Sequence, residues 1–315
     1  MLLAKNGLNV NFWGRNQSHL EDLKNTRCNS KYLPDIPFPE SLEVHLSLDS
    51  CIADSNEILL VVPSSGIRST LEQIHPLVSN THPKIAIASK GLEQDSLKLL
   101  HDVTHEVLGE NIDVCIISGP SFATEVAKEL PTAITVASNN IEFATSFASK
   151  LSNDHFRAYT SDDIIGVEVG GAVKNIMAIA AGIADGLGFG ANTRAALITR
   201  ALAEIVRLGK KMGGKPETFM GMAGLGDLIL TCTDNQSRNR RVGLGLAQGK
   251  TVDEIQIELG QVAEGISTTK KIYELSKSLE IDMPIVEQVY FVLYENETPS
   301  HAVHALLSRD TGSEF

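Results

Sequence analysis

Residues 84–91 read KIAIASKG: a short apolar run, Lys84–Ala88, closes on a turn at Gly91. Residues 114–123, VCIISGPSFA, repeat the pattern, with the run Val114–Ser118 stopped by Gly119-Pro120. A short apolar run bounded by turn residues and followed by an amphipathic stretch marks a buried strand leading into a helix. Working outward, the same reading places strands over Asn9–Trp13, Glu43–Leu48, Glu57–Val62 and Ala133–Ala137. Strands alternating with helical stretches predict a parallel sheet wrapped by helices, an α/β layer of Rossmann type.

From Ser161 onward strand-like runs stop. Ile164–Asp185, Thr193–Met212, Arg240–Ala247, Val252–Leu259, Ser267–Leu279 and Val286–Glu295 all read as helices. The expected organisation is therefore a dinucleotide-binding domain over residues 1–160 and an all-helical substrate and catalytic domain over 161–315. Residues 1–7, MLLAKNG, read as the last turns of a helix capped by Asn6-Gly7, with the first strand immediately behind. A dinucleotide-binding unit needs a strand, a glycine-rich turn, a helix and a second strand. Only its second half is present, so Met1 reads as an internal methionine, with an apolar strand and a GxGxxG turn expected upstream. In that fold the missing strand would lie between Asn9–Trp13 and Glu57–Val62, each reading as buried on both faces. The two are expected to flank a gap or to close up, and this form to bind NADPH poorly.

The end of the Asn9–Trp13 strand bears on cofactor choice. An acid there would bind ribose hydroxyls, whereas a basic residue accommodates the phosphate of NADP. The sequence has Gly14-Arg15-Asn16 and no acid until Glu21, so Arg15 points to NADPH.

A hydrophobic content of 43% with 21% charged residues fits a globular chain and not a disordered one. The net charge of −12 argues against nucleic acid or an anionic membrane as partner. Cys28, Cys51, Cys115 and Cys232 form no CxxC and no metal-like spacing with the histidines, so no metal is expected. Cys51 and Cys115 read as small buried hydrophobes, and such free thiols suit a reducing cytoplasm. No stretch reads as approaching the ~20 apolar residues of a membrane span, and no signal peptide is visible.

Two constellations carry chemistry. Lys174 is the only cation between Asp163 and Asn192, in the run IIGVEVGGAVKNIMAIAAGIADG. Gly170, Gly171 and Ala178 share its helix face, so a ligand could approach closely. Apolar surroundings lower the pKa of an ammonium and suit it to proton transfer. The second is GMAGLGDLILTCTDNQSRNRR, residues 221–241. Here Asp227 follows a glycine-rich, flexible segment, and Thr231, Thr233 and Asp234 offer side-chain oxygens. Ser237-Arg238-Asn239 then lead into a helix start, where hydroxyl, guanidinium and backbone N–H groups make a phosphate site. Arg238, Arg240 and Arg241 would supply the local positive charge an acidic protein needs for a phosphorylated substrate. Ser89-Lys90-Gly91 and Gly119-Pro120-Ser121-Phe122-Ala123 lie at carboxyl ends of strands, where open α/β sheets bind ligands. Lys90 can meet an anion, Gly119 allows close backbone approach, and Gly260–Gly265 is a loop able to close over a cofactor.

The stretches SKGLE, SGPSFATE, GVEVGGAVKNIMAIAAGIADGLGFGANTRAALITR, MGMAGLGDLILTCTDNQSRNRR and GQVAEG, in this order, resemble bacterial-type NAD(P)-dependent glycerol-3-phosphate dehydrogenases. The resemblance runs from about residue 7 onward, although the family's N-terminal GxGxxG turn has no counterpart. It implies that Lys174 gives or takes the proton at the substrate oxygen; Asp227, the second expected catalytic residue, would orient Lys174 or a substrate hydroxyl. Lys90, Gly119, Ser121, Lys174, Asp227, Ser237, Arg238 and Asn239 match substrate-binding positions. Arg15, Tyr32, Lys90, Ala123, Arg238, Val262 and Glu264 match cofactor-contacting positions. A homodimer and a role in supplying phospholipid precursors are also implied. The expected reaction is reversible reduction of dihydroxyacetone phosphate by NADPH or NADH. A reductase of hydroxyacids or ketoacids, and a truncated form that binds without turnover, are the alternatives.

Overall fold

An extended run becomes strand where its backbone can pair with a neighbouring one. In the computed structural model, which describes residues 1–79, 81–94 and 96–309, five strands form one sheet. They are β3 (Glu57–Leu60), β4 (Lys84–Ile87), β5 (Val114–Ser118), β6 (Thr132–Ala137) and β7 (Phe156–Ser161), in that spatial order. A second, two-stranded sheet holds β1 (Val10–Phe12) parallel to β2 (Leu42–Val44).

The sheet departs from expectation in four ways. First, β6 runs antiparallel to β5, pairing Ile116 with Ala137, although β3, β4 and β5 are parallel as expected. A parallel crossover usually runs through a substantial helix laid across the sheet; the connection between β5 and β6 holds only the five-residue helix Ala123–Ala127. Second, β7 escapes the sequence reading and lies inside the segment before Ser161. It is an edge strand, parallel to β6, with only Phe156 buried, so it carries no apolar run. Third, β1 and β3 are not buried on both faces: Asn11 and Phe12 are exposed, as is Leu59, and Val61 is 67% exposed. The two strands lie in separate sheets and are not paired with each other. Fourth, the expected Glu43–Leu48 strand ends early, at Val44, and a helix starts at Leu48, where the Ser47 side chain accepts from the Ser50 N–H.

The chain divides into two compact units. One comprises Met1–Val62, Gly66–Ser89 and Leu100–Ile164; the other comprises Pro63–Ser65, Lys90–Leu99 and the chain from Ile165 onward. Within the first, Ala86, Cys115, Ile134, Val136, Phe143 and Phe147 pack as one core, and Leu20, Leu23, Leu42 and Val44 as another beneath β1–β2. All four cysteines are free, and burial pushes the Cys51 thiol up to about 11, as expected of an inert buried sulfur.

The second unit is built around the helix Ile164–Gly186, whose Val173, Ile176, Met177 and Ile179 are fully buried. This helix corrects one expectation: at 23 residues with a mean hydropathy of 1.5, it is long and apolar enough to cross a membrane. Its apolar window is 94% buried by the surrounding helices, the position of a core helix. The glycine-rich stretch before Asp227 is not a flexible loop either. Met222–Gly226 forms a π-helical turn, and a Cβ on Gly224 would run into the Phe219 backbone. These glycines permit close packing.

Candidate active site

A lysine in the middle of an apolar helix has no water to solvate it, so its charge must be met by a buried partner. Lys174 is 5% exposed and forms an ion pair with Asp227 Oδ1. Its Nζ also donates to Thr231 Oγ1 at 3.1 Å. Asp227, 1% exposed, opens the helix Asp227–Thr233, and its Oδ2 lies 2.7 Å from Lys90 Nζ. Thr231 stands one turn further on and donates to the Asp227 carbonyl at 2.6 Å, which fixes its hydroxyl toward the lysine. Two ammonium groups thus share one carboxylate.

Burial, reinforced by the neighbouring charge of Lys90, pushes the Lys174 ammonium down to about 7 against the opposing pull of Asp227. Burial alone would raise the Asp227 carboxyl, but Lys90 and Lys174 outweigh it and hold it below the ordinary carboxylate range. The arrangement keeps Asp227 anionic and leaves Lys174 able to give or take a proton near neutrality. Gly170, read as clearing space for a ligand, has another partner: its Cβ would meet the Ala223 carbonyl at 2.8 Å. That face of the helix is covered by the π-helical turn.

The helix Arg238–Ala247 begins beside this cluster. Ser237 caps it, accepting from the Arg240 N–H at 3.2 Å. Asn239 is buried and accepts from the Gly265 N–H at 2.9 Å. A Cβ on Gly265 would stand 2.6 Å from Asn239 Oδ1 and 2.8 Å from the Asn175 carbonyl. Asn239 therefore meets, across that glycine, the residue next to Lys174. Arg238 is exposed, with its Nη1 3.4 Å from Gln261 Oε1. The expected patch of three arginines is corrected to two, because Arg240 is buried against Asp185 while Arg238 and Arg241 face solvent. In the neighbouring loop Val262 is exposed, and Glu264 accepts from the Ser64 N–H at 2.9 Å, with burial raising its carboxyl.

The remaining sequence-predicted residues belong to the first unit. Gly119, with φ +144°, lies against β6, and its Cβ would meet Ile134 Cα at 2.8 Å, so the glycine is demanded by the sheet itself. Ser121 Oγ donates to the Gly119 carbonyl at 3.0 Å, and Ala123 opens the short helix behind. Arg15 is exposed just past β1, its Nη1 3.6 Å from where a Gly66 Cβ would stand. Asn16 caps the helix Gln17–Thr26, accepting from the His19 N–H at 2.9 Å. Tyr32 is exposed, its ring edge-on to His19 and within 5.0 Å of Lys31 Nζ.

The sequence reading did not single out Lys31 or Ser64, and gave Thr231 no specific role. Only Thr231 had a visible signal, its i+4 spacing from Asp227 on what proves to be a helix.

These side chains can be tested against a nicotinamide dinucleotide. Arg15, exposed at a strand's carboxyl end and without a carboxylate partner among the described residues, suits a phosphoribose.

A Rossmann-type strand unit followed by a helical unit with a buried lysine–carboxylate pair defines the class of two-unit dehydrogenases. Residues 1–144 match the NAD-dependent glycerol-3-phosphate dehydrogenase N-terminus and residues 163–304 its C-terminus. The glycerol-3-phosphate dehydrogenase (NAD(P)+) of Psychromonas ingrahamii is 51% identical over 313 residues, covering 99% of this chain and 93% of its own. The crystal structure of glycerol-3-phosphate dehydrogenase from Coxiella burnetii superimposes with a TM-score of 0.95 at 45% identity, covering 98% of this chain and 94% of that one. The yeast structure gives 0.82 at 28% identity, covering 96% and 94%. The chain belongs to the NAD-dependent glycerol-3-phosphate dehydrogenase family.

Proposed function

We propose that the protein catalyses reversible hydride transfer between NAD(P)H and dihydroxyacetone phosphate, forming sn-glycerol 3-phosphate. The observation that carries the reading is Lys174, buried, poised near neutrality and held by Asp227, with the Arg238–Asn239 helix start beside it. A nicotinamide cofactor, when bound, would supply the hydride for reduction of the carbonyl, or take it up in the reverse direction. Lys174 Nζ gives its proton to the developing alkoxide oxygen, and in glycerol phosphate oxidation takes it back. Asp227 fixes the ammonium, and Thr231 sets its direction. Lys90 adds positive charge where the anionic substrate enters, and the exposed Arg238 grips the phosphate with Ser237 and Asn239 at the helix start. Holding the non-reacting phosphate orients the carbonyl toward Lys174. Gly119 and Ser121 complete the substrate set, while Arg15, Tyr32, Ala123, Val262 and Glu264 serve the cofactor, Arg15 favouring NADPH. Residues 1–160 would then supply most of the cofactor contacts and 161–315 most of the substrate contacts.

The product is a phospholipid precursor, and we place the enzyme in the cytoplasm as a homodimer. The test is turnover: oxidation of NADPH driven by dihydroxyacetone phosphate, with non-phosphorylated keto acids as the comparison. Preference for the keto acids would overturn the substrate assignment.

A further inference from the structure

Arg240 is the second of three arginines in four positions, yet it alone turns inward and is 7% exposed. Its guanidinium spends donors on three different segments. Nε donates to the Cys232 carbonyl at 3.0 Å, near the end of the helix that begins with Asp227. Nη1 donates to Asn235 Oδ1 at 2.5 Å, in the turn that leads to Ser237. Nη2 donates to Asp185 Oδ2 at 2.5 Å, at the far end of the helix that carries Lys174. The same Asp185 oxygen receives Arg194 Nη1 at 2.8 Å.

The helices involved have no slack. A Cβ on Gly182 would fall on the Arg240 carbonyl, and one on Gly243 on the Ile179 carbonyl, so the two helices touch backbone to backbone. A buried ion pair is a weak device for stability, since apolar packing of the same volume serves as well, but its directional bonds fix geometry. The planar fork of an arginine suits that task, and a lysine's single nitrogen cannot make the same three bonds.

We propose that Arg240, held by Asp185, is a positioning residue that sets the Arg238–Asn239 helix start in register with Lys174. Its role is to place the phosphate grip at a fixed distance from the proton donor, without touching substrate itself. This rests on the phosphate reading of Ser237–Asn239 given above. Loosening the clamp therefore weakens substrate binding before it slows the bound complex.

The experiment is steady-state kinetics with dihydroxyacetone phosphate and NADPH on Arg240→Lys, Asp185→Asn, their double variant and Asn235→Ala, with Arg238→Ala as reference. Asn235 is exposed, so its alanine variant should fold and removes one clamp bond only. Arg240→Lys should raise KM about tenfold with kcat within about threefold, the scale of one charge-assisted contact. Asn235→Ala should raise KM by a smaller factor in the same direction. The double variant should be no worse than the poorer single one, as coupled partners require. If Arg238→Ala raises KM but Arg240→Lys and Asn235→Ala leave it at the wild-type value, the clamp is only structural and the inference is overturned. If Arg238→Ala also leaves KM unmoved, the phosphate reading itself fails. Should Arg240→Lys not fold, Asn235→Ala decides alone.

Discussion

The Lys174 ammonium is paired with the Asp227 carboxylate where both are almost completely buried, and Lys90 approaches the same carboxylate from its other oxygen. The three charges make a net cation with one mobile proton. The mobile proton is the one on Lys174, because burial and Lys90 both disfavour the charged form there while Asp227 retains it.

Replacing Lys174 with alanine should abolish most turnover. General acid catalysis contributes about 10²–10⁴-fold, and the loss should fall on kcat, with KM for dihydroxyacetone phosphate moving only modestly. Single-turnover and steady-state rates check this; wild-type turnover in the variant would remove Lys174 from the mechanism.

The pH dependence follows from the same triad. Reduction needs the ammonium, so kcat/KM for dihydroxyacetone phosphate should fall as pH rises through about 7. Oxidation of glycerol 3-phosphate needs the free amine and should rise through the same range. Asp227 holds the proton on Lys174, so Asp227→Asn should shift the limb to lower pH. Lys90 repels it, so Lys90→Met should shift the limb upward. Two shifts in the same direction would contradict the electrostatic assignment.

Much of this was legible because the signals were local. Lys174 stood out as a lone cation in an apolar helix, and the strands β4 and β5 as apolar runs closed by glycine. What was hidden depended on distant partners. Arg240 looks like its neighbours until Asp185, 55 residues away in sequence, turns it inward. Gly170 and Gly224 looked like openings or hinges, and only the packing of the π-helical turn shows them as close contacts. The reversed strand β6 follows a connection that holds only a five-residue helix, and β7 is an edge whose exposed side chains carry no pattern.

Arg15 is exposed at the end of β1 with its guanidinium over Gly66, and Asn16 is occupied in capping a helix. Arg15→Glu should therefore shift preference from NADPH toward NADH by repelling the additional phosphate. The ratio of kcat/KM values for the two cofactors, before and after, measures it. An unchanged ratio would show that the guanidinium does not meet the ribose phosphate.

Glu204 gives the helical unit a pH-dependent stability. Its carboxyl is 2% exposed and accepts from the N–H groups of Ile285, at 2.7 Å, and Val286, at 3.3 Å, where the helix Pro284–Tyr294 begins. Burial nonetheless dominates and raises it to about 7, above the 4.5 of a free glutamate. A group whose folded pKa is raised contributes stability that is fully present below its unfolded pKa and lost as pH rises through the folded one. Between about pH 4.5 and 7 the folded protein binds a proton the unfolded chain has released, so this carboxyl makes stability decline with pH. A rise of this size corresponds to a few kcal/mol, on the order of the 1.36 kcal/mol that accompanies each pKa unit. Glu204→Gln keeps one acceptor for the helix start and removes the titration. The variant should be less stable at pH 5, where one N–H loses its partner, but its stability should change less between pH 5 and pH 8 than that of the wild type. Denaturant unfolding of both proteins at the two pH values measures the slopes. Parallel slopes would mean that Glu204 titrates alike in the folded and unfolded chains.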